Sequence, residues 1–257
     1  MSKKSIKAVG VTIAVVLMLV ILTGFIAVPI IARQAEKRSL EEIDHGSLSV
    51  VCSDPYSIPN YHGDDYYVLN DGKPNFNEWD FENITGEYYS DLDRLGRCGV
   101  AYAMLDRSMR PTKKRGDIGY IKPTGWVQNK YQGIVDADPP YLYNRSHLIA
   151  YALAGEDDNE LNLITGTRYM NATTMLPWEE PVMRYLDEND NHVLYRVAPY
   201  FKGDELLARG VEMEACSVED DGEGICYHVF VDNVQPGIIL DYDTGENWAF
   251  ADEHYKK

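Results

Sequence analysis

Apolar and polar positions are arranged most regularly in the last third of the chain. His192–Phe201, Leu206–Val218 and Ile225–Val234 are three β-rich runs, parted by Lys202-Gly203-Asp204 and by the acidic stretch from Glu219 to Gly224. Short glycine-containing breaks between such runs predict tight turns, and therefore an antiparallel meander. Residues 98–106 (CGVAYAMLD) and 116–122 (GDIGYIK) are apolar and punctuated by glycine, which fits two earlier strands. Pro177 to Asp187 is the best helix candidate. Pro177 suits a first helical position, whereas Pro181 removes one intrahelical bond and is expected to bend the helix. Residues 45–90, rich in Tyr, Asp, Asn and Pro, show no helical period and read as irregular chain with short strands. Strands, a helix and strands again give an α+β domain, with the helical segment packed on an antiparallel sheet.

Ala8 to Ala32 is an uncharged run of 25 residues, preceded by Lys3, Lys4 and Lys7. A helix of about 20 apolar residues crosses a bilayer, so this run predicts an N-terminal transmembrane anchor at the cell membrane. The resulting organisation is a membrane anchor with a short cytoplasmic basic tail over residues 1–34, a stalk over 35–44 and an extracellular domain over 45–257. A cleaved signal peptide is the competing reading and would give a secreted domain, but its apolar region is usually shorter. Arg33, Lys37 and Arg38 follow the run, so the orientation rests mainly on reading the domain as extracellular.

Composition adds a packed core, with 45% hydrophobic residues and 19 Tyr, and excludes a disordered chain. Four cysteines follow the anchor: Cys52, Cys98, Cys216 and Cys226. An even count in an exported domain favours two disulfides. Cys216 and Cys226 flank the acidic turn and are expected to pair, leaving Cys52 with Cys98. No CxxC spacing supports a zinc cluster.

The net charge is −17, and beyond residue 40 the balance of 18 basic and 40 acidic residues is −22. That looks wrong for a nucleic-acid protein, but only charge near the substrate path attracts phosphates once salt screens the rest. Arg94, Arg97, Arg107, Arg110, Lys113, Lys114, Arg115, Lys122 and Lys130 stand against only Asp106 and Asp117, a local +7. The segment is either a solvated basic loop or a polyanion contact.

Chemistry concentrates in Tyr143 to Glu180, YNRSHLIAYALAGEDDNELNLITGTRYMNATTMLPWEE. Each part alone has an ordinary explanation. A lone histidine is commonly a surface or satisfied core residue, asparagines form turns, and glutamates favour helix N-termini. Together, Asn144-Arg145-Ser146-His147 followed by Asn171 and, eight positions on, Glu179 resembles the DNA/RNA non-specific endonucleases of the ββα-metal (His-Me finger) superfamily, particularly their exported bacterial members. Asn144 and Ser146 stand where that family has Asp and Gly. NLITGTRYMN is similar to the family's segment between histidine and metal ligand, and the likeness extends from about Leu95 to Trp248. Phosphate-binding glycine loops, GxSxG and HExxH are all absent.

The resemblance implies a ββα-metal core and a sequence-nonspecific endonuclease acting on DNA, with RNA as a further substrate. His147 would be the general base, with Arg145 and Glu179 also in the catalytic set. Asn171 would bind Mg2+, which Mn2+ replaces. Arg168, Arg184, Asn162, Arg115, Lys114 and Lys113 would contact substrate. These types suit the chemistry, because phosphodiester hydrolysis needs a deprotonated water and neutralisation of charge at phosphate and leaving oxygen. Magnesium keeps several waters and tolerates one neutral amide ligand. If one helix carried both residues, Asn171 and Glu179 would be about 12 Å apart along it, so Glu179 would act through the ion's waters. The alternatives are a cleavage-deficient extracellular nucleic-acid receptor on the same fold, and an acidic surface module that binds protein or cation.

Overall fold

The computed structural model describes residue 61 and residues 63–250. The expected anchor, the stalk and Cys52 lie outside the described residues, among which no helix is long and apolar enough to cross a membrane.

The late meander is present: β6 (Val193–Tyr200), β7 (Gly210–Ser217) and β8 (Cys226–Asp232) pair antiparallel in chain order. β3 (Ala101–Leu105) pairs with β6, β2 (Glu87–Tyr89) with β3, and β1 (Tyr67–Val68) with the free side of β8. The result is a six-stranded antiparallel sheet. Alternation along the strands gives it two unlike faces. Ala103, Tyr195, Met213 and Val229 enter the main apolar core with Leu148, Leu153, Val182 and Leu186. On the opposite face the register places Tyr102, Arg196, Glu214 and His228 beside one another across four strands.

This polar row is buried beneath residues 70–83. Arg196 pairs with Glu214 and the Tyr102 hydroxyl, the Asn75 N–H donates to Glu214 at 2.7 Å, and Phe76 stacks on Arg196 at 5.1 Å. Glu212, Glu214 and His228 are grouped tightly enough to suggest metal ligands. A proton already fills that role. His228 lies between the Lys73 carbonyl oxygen and the Glu212 carboxylate, both acceptors, so both ring nitrogens donate and the ring is charged. With Arg196 it balances the two carboxylates. Burial lowers the His228 pKa, but the Glu212 hydrogen bond and the Glu214 and Glu212 charges outweigh it and raise the pKa above 6.5. A raised folded-state histidine pKa contributes stability that is complete below the unfolded pKa and lost as pH rises through the folded one. The urea midpoint should therefore fall as pH rises through that window. His228→Gln should start lower and vary less with pH; a wild-type midpoint that does not fall in this window would contradict the assignment.

α1 (Glu78–Asn83) corrects the reading of residues 45–90 as lacking helix. It is closed by a capping box in which Asn77 accepts from Trp79 and Asp80 N–H groups and Asp80 accepts from Asn77 N–H. Residues 116–122 form no strand. Their backbone groups are taken by side chains instead, with Gly116 N–H on Asp157, Gly119 N–H on Asp117, and the Gly119 and Ile121 carbonyls on Arg145.

The second layer holds β4 (Tyr143–His147), α2 (Tyr151–Ala154), β5 (Leu163–Thr167), a π turn (Met170–Thr174) and α3 (Leu176–Glu188). β4 and β5 pair antiparallel. α3 has a proline near its start and continues through Pro181, burying Val182 and Leu186. Its C-terminal carbonyls are met by Arg107, on Leu186 and Asp187, and by Arg110, on Met183 at 2.8 Å. Arg94 pairs with Asp204, and Arg97 binds Asp93 and the Gly203 and Glu205 carbonyls. Four of the nine basic residues in the Arg94–Lys130 segment thus have structural roles, which narrows the polyanion contact to its later part.

Cys216 and Cys226 are opposite each other on β7 and β8, yet both are free thiols, as is Cys98. The expected 216–226 bridge is not formed in this structure. The neighbouring Ser217 and Ile225 hydrogen-bond each other, so the cysteines occupy a non-hydrogen-bonded pair, where Cα atoms are about 4.5 Å apart, within disulfide range. Cys98 donates to the Leu163 and Glu160 carbonyls.

Candidate active site

Arg145 and His147 are two apart on β4 and share a face. His147 is 7% exposed, and its Nε2 lies 3.1 Å from the Asp157 carbonyl oxygen. That oxygen only accepts, so Nε2 holds the proton and Nδ1 keeps a free lone pair. Burial lowers the His147 pKa below 6.5 and the Arg115 charge adds to this, against opposing contributions from Asp157. The ring is therefore neutral at pH 7, the form a general base requires.

Arg145 is held by the Ile121 and Gly119 carbonyls and lies 4.3 Å from the Trp126 ring. It ties the 119–121 loop to the histidine strand. Asn162, expected at the substrate, is completely buried: its amide accepts from Ile149 N–H and donates to Ile149 carbonyl at 2.8 and 3.0 Å. It braces the chain after His147, and its complete burial keeps it from substrate.

Gly166 faces Asn144 across the β4–β5 ladder. A Cβ there would come within 2.0 Å of Ser146 Oγ and 2.7 Å of Met170 Cε. Strand and π turn can approach this closely only with glycine in the LITGT run.

The π turn is closed by Met175 N–H on Met170 carbonyl at 2.9 Å. Its entrance is clamped from outside the motif, with Thr167 N–H bonded to Asn233 and Tyr169 N–H to Gln235, while Asn233 also donates to the Thr165 and Ala208 carbonyls. Sequence reasoning did not single out Asn233 and Gln235. Both lie within the stretch from about Leu95 to Trp248 over which the sequence resembles the family.

Asn171, half-buried in this turn, has a side-chain amide with no partner among the described residues. On an ideal α-helix, residues eight apart point roughly 80° from each other. The π turn that holds Asn171 departs from that ideal between the two residues. Glu179 is 7% exposed, and burial, helped by Glu180, pushes its carboxyl up to about 7. A buried carboxyl with no cation beside it and a free amide on adjoining turns are oxygen donors suited to a hard divalent ion.

A cavity of about 620 Å³ adjoins β4, lined by Arg115, Arg145, Arg168, Trp126, Tyr141 and Asn144 among others. Lys113, Lys114 and Arg115 are exposed just before it. Arg184 is exposed on α3, four residues from Glu180 and outside this cavity.

β4 carries the neutral histidine, the π turn the free asparagine amide and α3 the buried glutamate. The sequence pattern described as DNA/RNA non-specific endonuclease matches residues 78–219, and the chain belongs to that family. It is 27% identical to NucA from Streptococcus agalactiae with no metal bound, with a TM-score of 0.62 over 81% of this chain and 96% of that one. The magnesium-bound form of NucA is similar at 28% identity and a TM-score of 0.62, covering 75% and 90%. Sda1 nuclease with bound zinc ion gives 26% and 0.61, covering 73% and 98%. A deoxyribonuclease of Streptococcus dysgalactiae subsp. equisimilis is 36% identical over 110 residues, or 41% of this chain; the match spans only 32% of that relative's length.

Proposed function

We propose that this protein is a sequence-nonspecific endonuclease hydrolysing phosphodiester bonds of DNA, and of RNA, with His147 as general base and one magnesium ion held by Asn171. The observation that carries the reading is His147, neutral, oriented by Asp157 and bare at Nδ1, within a chain of this family. Nδ1 takes the proton from the attacking water, while the bond from Nε2 to the Asp157 carbonyl keeps the ring from turning away. Arg145 acts as a positioning residue by fixing the loop over its own strand, and Arg168 and Arg115 contact phosphates. When bound, the divalent ion neutralises charge at the phosphate and the leaving 3′ oxygen. Asn171 would hold it, with Glu179 as the nearby carboxylate. Magnesium accords with this oxygen donor set and with the magnesium-bound NucA structure.

We place the domain outside the cell, anchored through residues 8–32 or secreted after cleavage, where oxidation would bridge Cys216 and Cys226. Loss of supercoiled plasmid with magnesium but not with chelator tests the nuclease reading. Retention of DNA without cutting would favour the receptor alternative.

The electrostatic part has its own test. Lys113, Lys114 and Arg115 are exposed and have no ion pair among the described residues. Reversing all three to Glu should raise KM for polynucleotide and flatten its salt dependence, because fewer counterions are released on binding. Equal KM values for variant and wild type at low salt would make the segment a bystander.

A further inference from the structure

We infer that the cavity beside β4 takes one unstacked nucleobase of the substrate strand, with Tyr141 as the stacking surface. The inference rests on the nuclease reading and adds a preferred substrate form, single-stranded or locally melted nucleic acid.

The cavity's volume of about 620 Å³ is too large for a phosphate alone and falls in the range of sites for whole small organic groups. Of its three aromatic residues, Tyr143 is buried with its hydroxyl on the Gly245 carbonyl, and the other two are not equivalent. Trp126 is covered by the Arg145 guanidinium at 4.3 Å, and Arg145 is fixed by backbone carbonyls. Tyr141 is 41% exposed and carries only the Lys130 ammonium, 4.6 Å from its ring centre, which leaves one face for a stacked partner. Its backbone is held independently, by a bridge to Lys130 and a bond from its N–H to the Pro139 carbonyl. Around it, Arg115 and Arg168 have no ion-pair partner and the Asn144 side-chain amide no hydrogen-bond partner among the described residues.

Two free guanidiniums, a free amide and an open aromatic face correspond to the parts of a nucleotide: phosphate on the arginines, base on the ring, base edge on the amide. Asp138 on the same wall repels phosphate and so favours the base at that end. A base within a duplex is covered on both faces by its neighbours, so only a splayed base can stack here.

The test is fluorescence anisotropy with a labelled single-stranded oligonucleotide and a labelled duplex, in chelator, using wild type, Tyr141→Ala and Tyr141→Phe. Tyr141→Ala should weaken single-strand binding about 5- to 150-fold, the range for losing one base–aromatic stack, and duplex binding much less. Tyr141→Phe should retain wild-type affinity. Equal affinities for Tyr141→Ala and wild type, or equal losses on both substrates, would overturn the inference. This readout needs no cleavage, so a wild-type protein that binds but does not cut would overturn the nuclease reading and leave this result standing.

Discussion

His147→Ala is expected to lower turnover on DNA by about 10²- to 10⁴-fold, the usual cost of losing a general base, while fold, magnesium affinity and DNA affinity stay near wild type. The reason is the division of labour at the histidine. Nε2 is spent on the Asp157 carbonyl, so the ring's only free function is proton transfer at Nδ1. The wild-type pH profile should carry the same signature. A base acts unprotonated, and burial sets this pKa below 6.5, so activity should be full above that value and fall as pH drops through the lowered pKa. Single-turnover rates for variant and wild type, measured across that window, check both points. A variant that cuts at more than about a tenth of the wild-type rate would place the base elsewhere.

Asn171→Ala should be nearly as damaging, about 10²- to 10³-fold, for a different reason: it removes the amide proposed to hold the ion that neutralises transition-state charge. Titration calorimetry should show weakened magnesium binding, and excess magnesium should restore part of the rate. His147→Ala should show neither effect. Unchanged magnesium affinity in Asn171→Ala would move the metal to other ligands, with Glu179 the first to examine.

The sequence revealed this site unevenly, for physical reasons. The family was legible because Arg145, His147, Asn171 and Glu179 follow its residue types and spacing along one short stretch. The meander and α3 were legible because periodicity and turn residues are local signals. The role of Asn162 was not, since turn former, brace and substrate contact use the same amide, and only its burial against Ile149 separates them. The charge run did not show which of its residues the fold itself uses. Nothing along the chain shows that Arg107 and Arg110 meet the end of a helix more than seventy residues away. The 116–122 run misled because its apolar, glycine-punctuated pattern is strand-like, whereas Arg145, Asp117 and Asp157 take up its backbone groups. α1 was missed although Asn77 and Asp80 have capping-box spacing, because a six-residue helix shows too little periodicity to register.

The most direct measurement incubates the protein with supercoiled plasmid in magnesium and, in parallel, in chelator, and then determines the termini of the products. Metal-dependent hydrolysis with the 3′ oxygen as leaving group gives nicked, linear and fragmented DNA in magnesium only, with 5′-phosphate and 3′-hydroxyl ends. Intact plasmid in magnesium, or cleavage of equal rate in chelator, would contradict it.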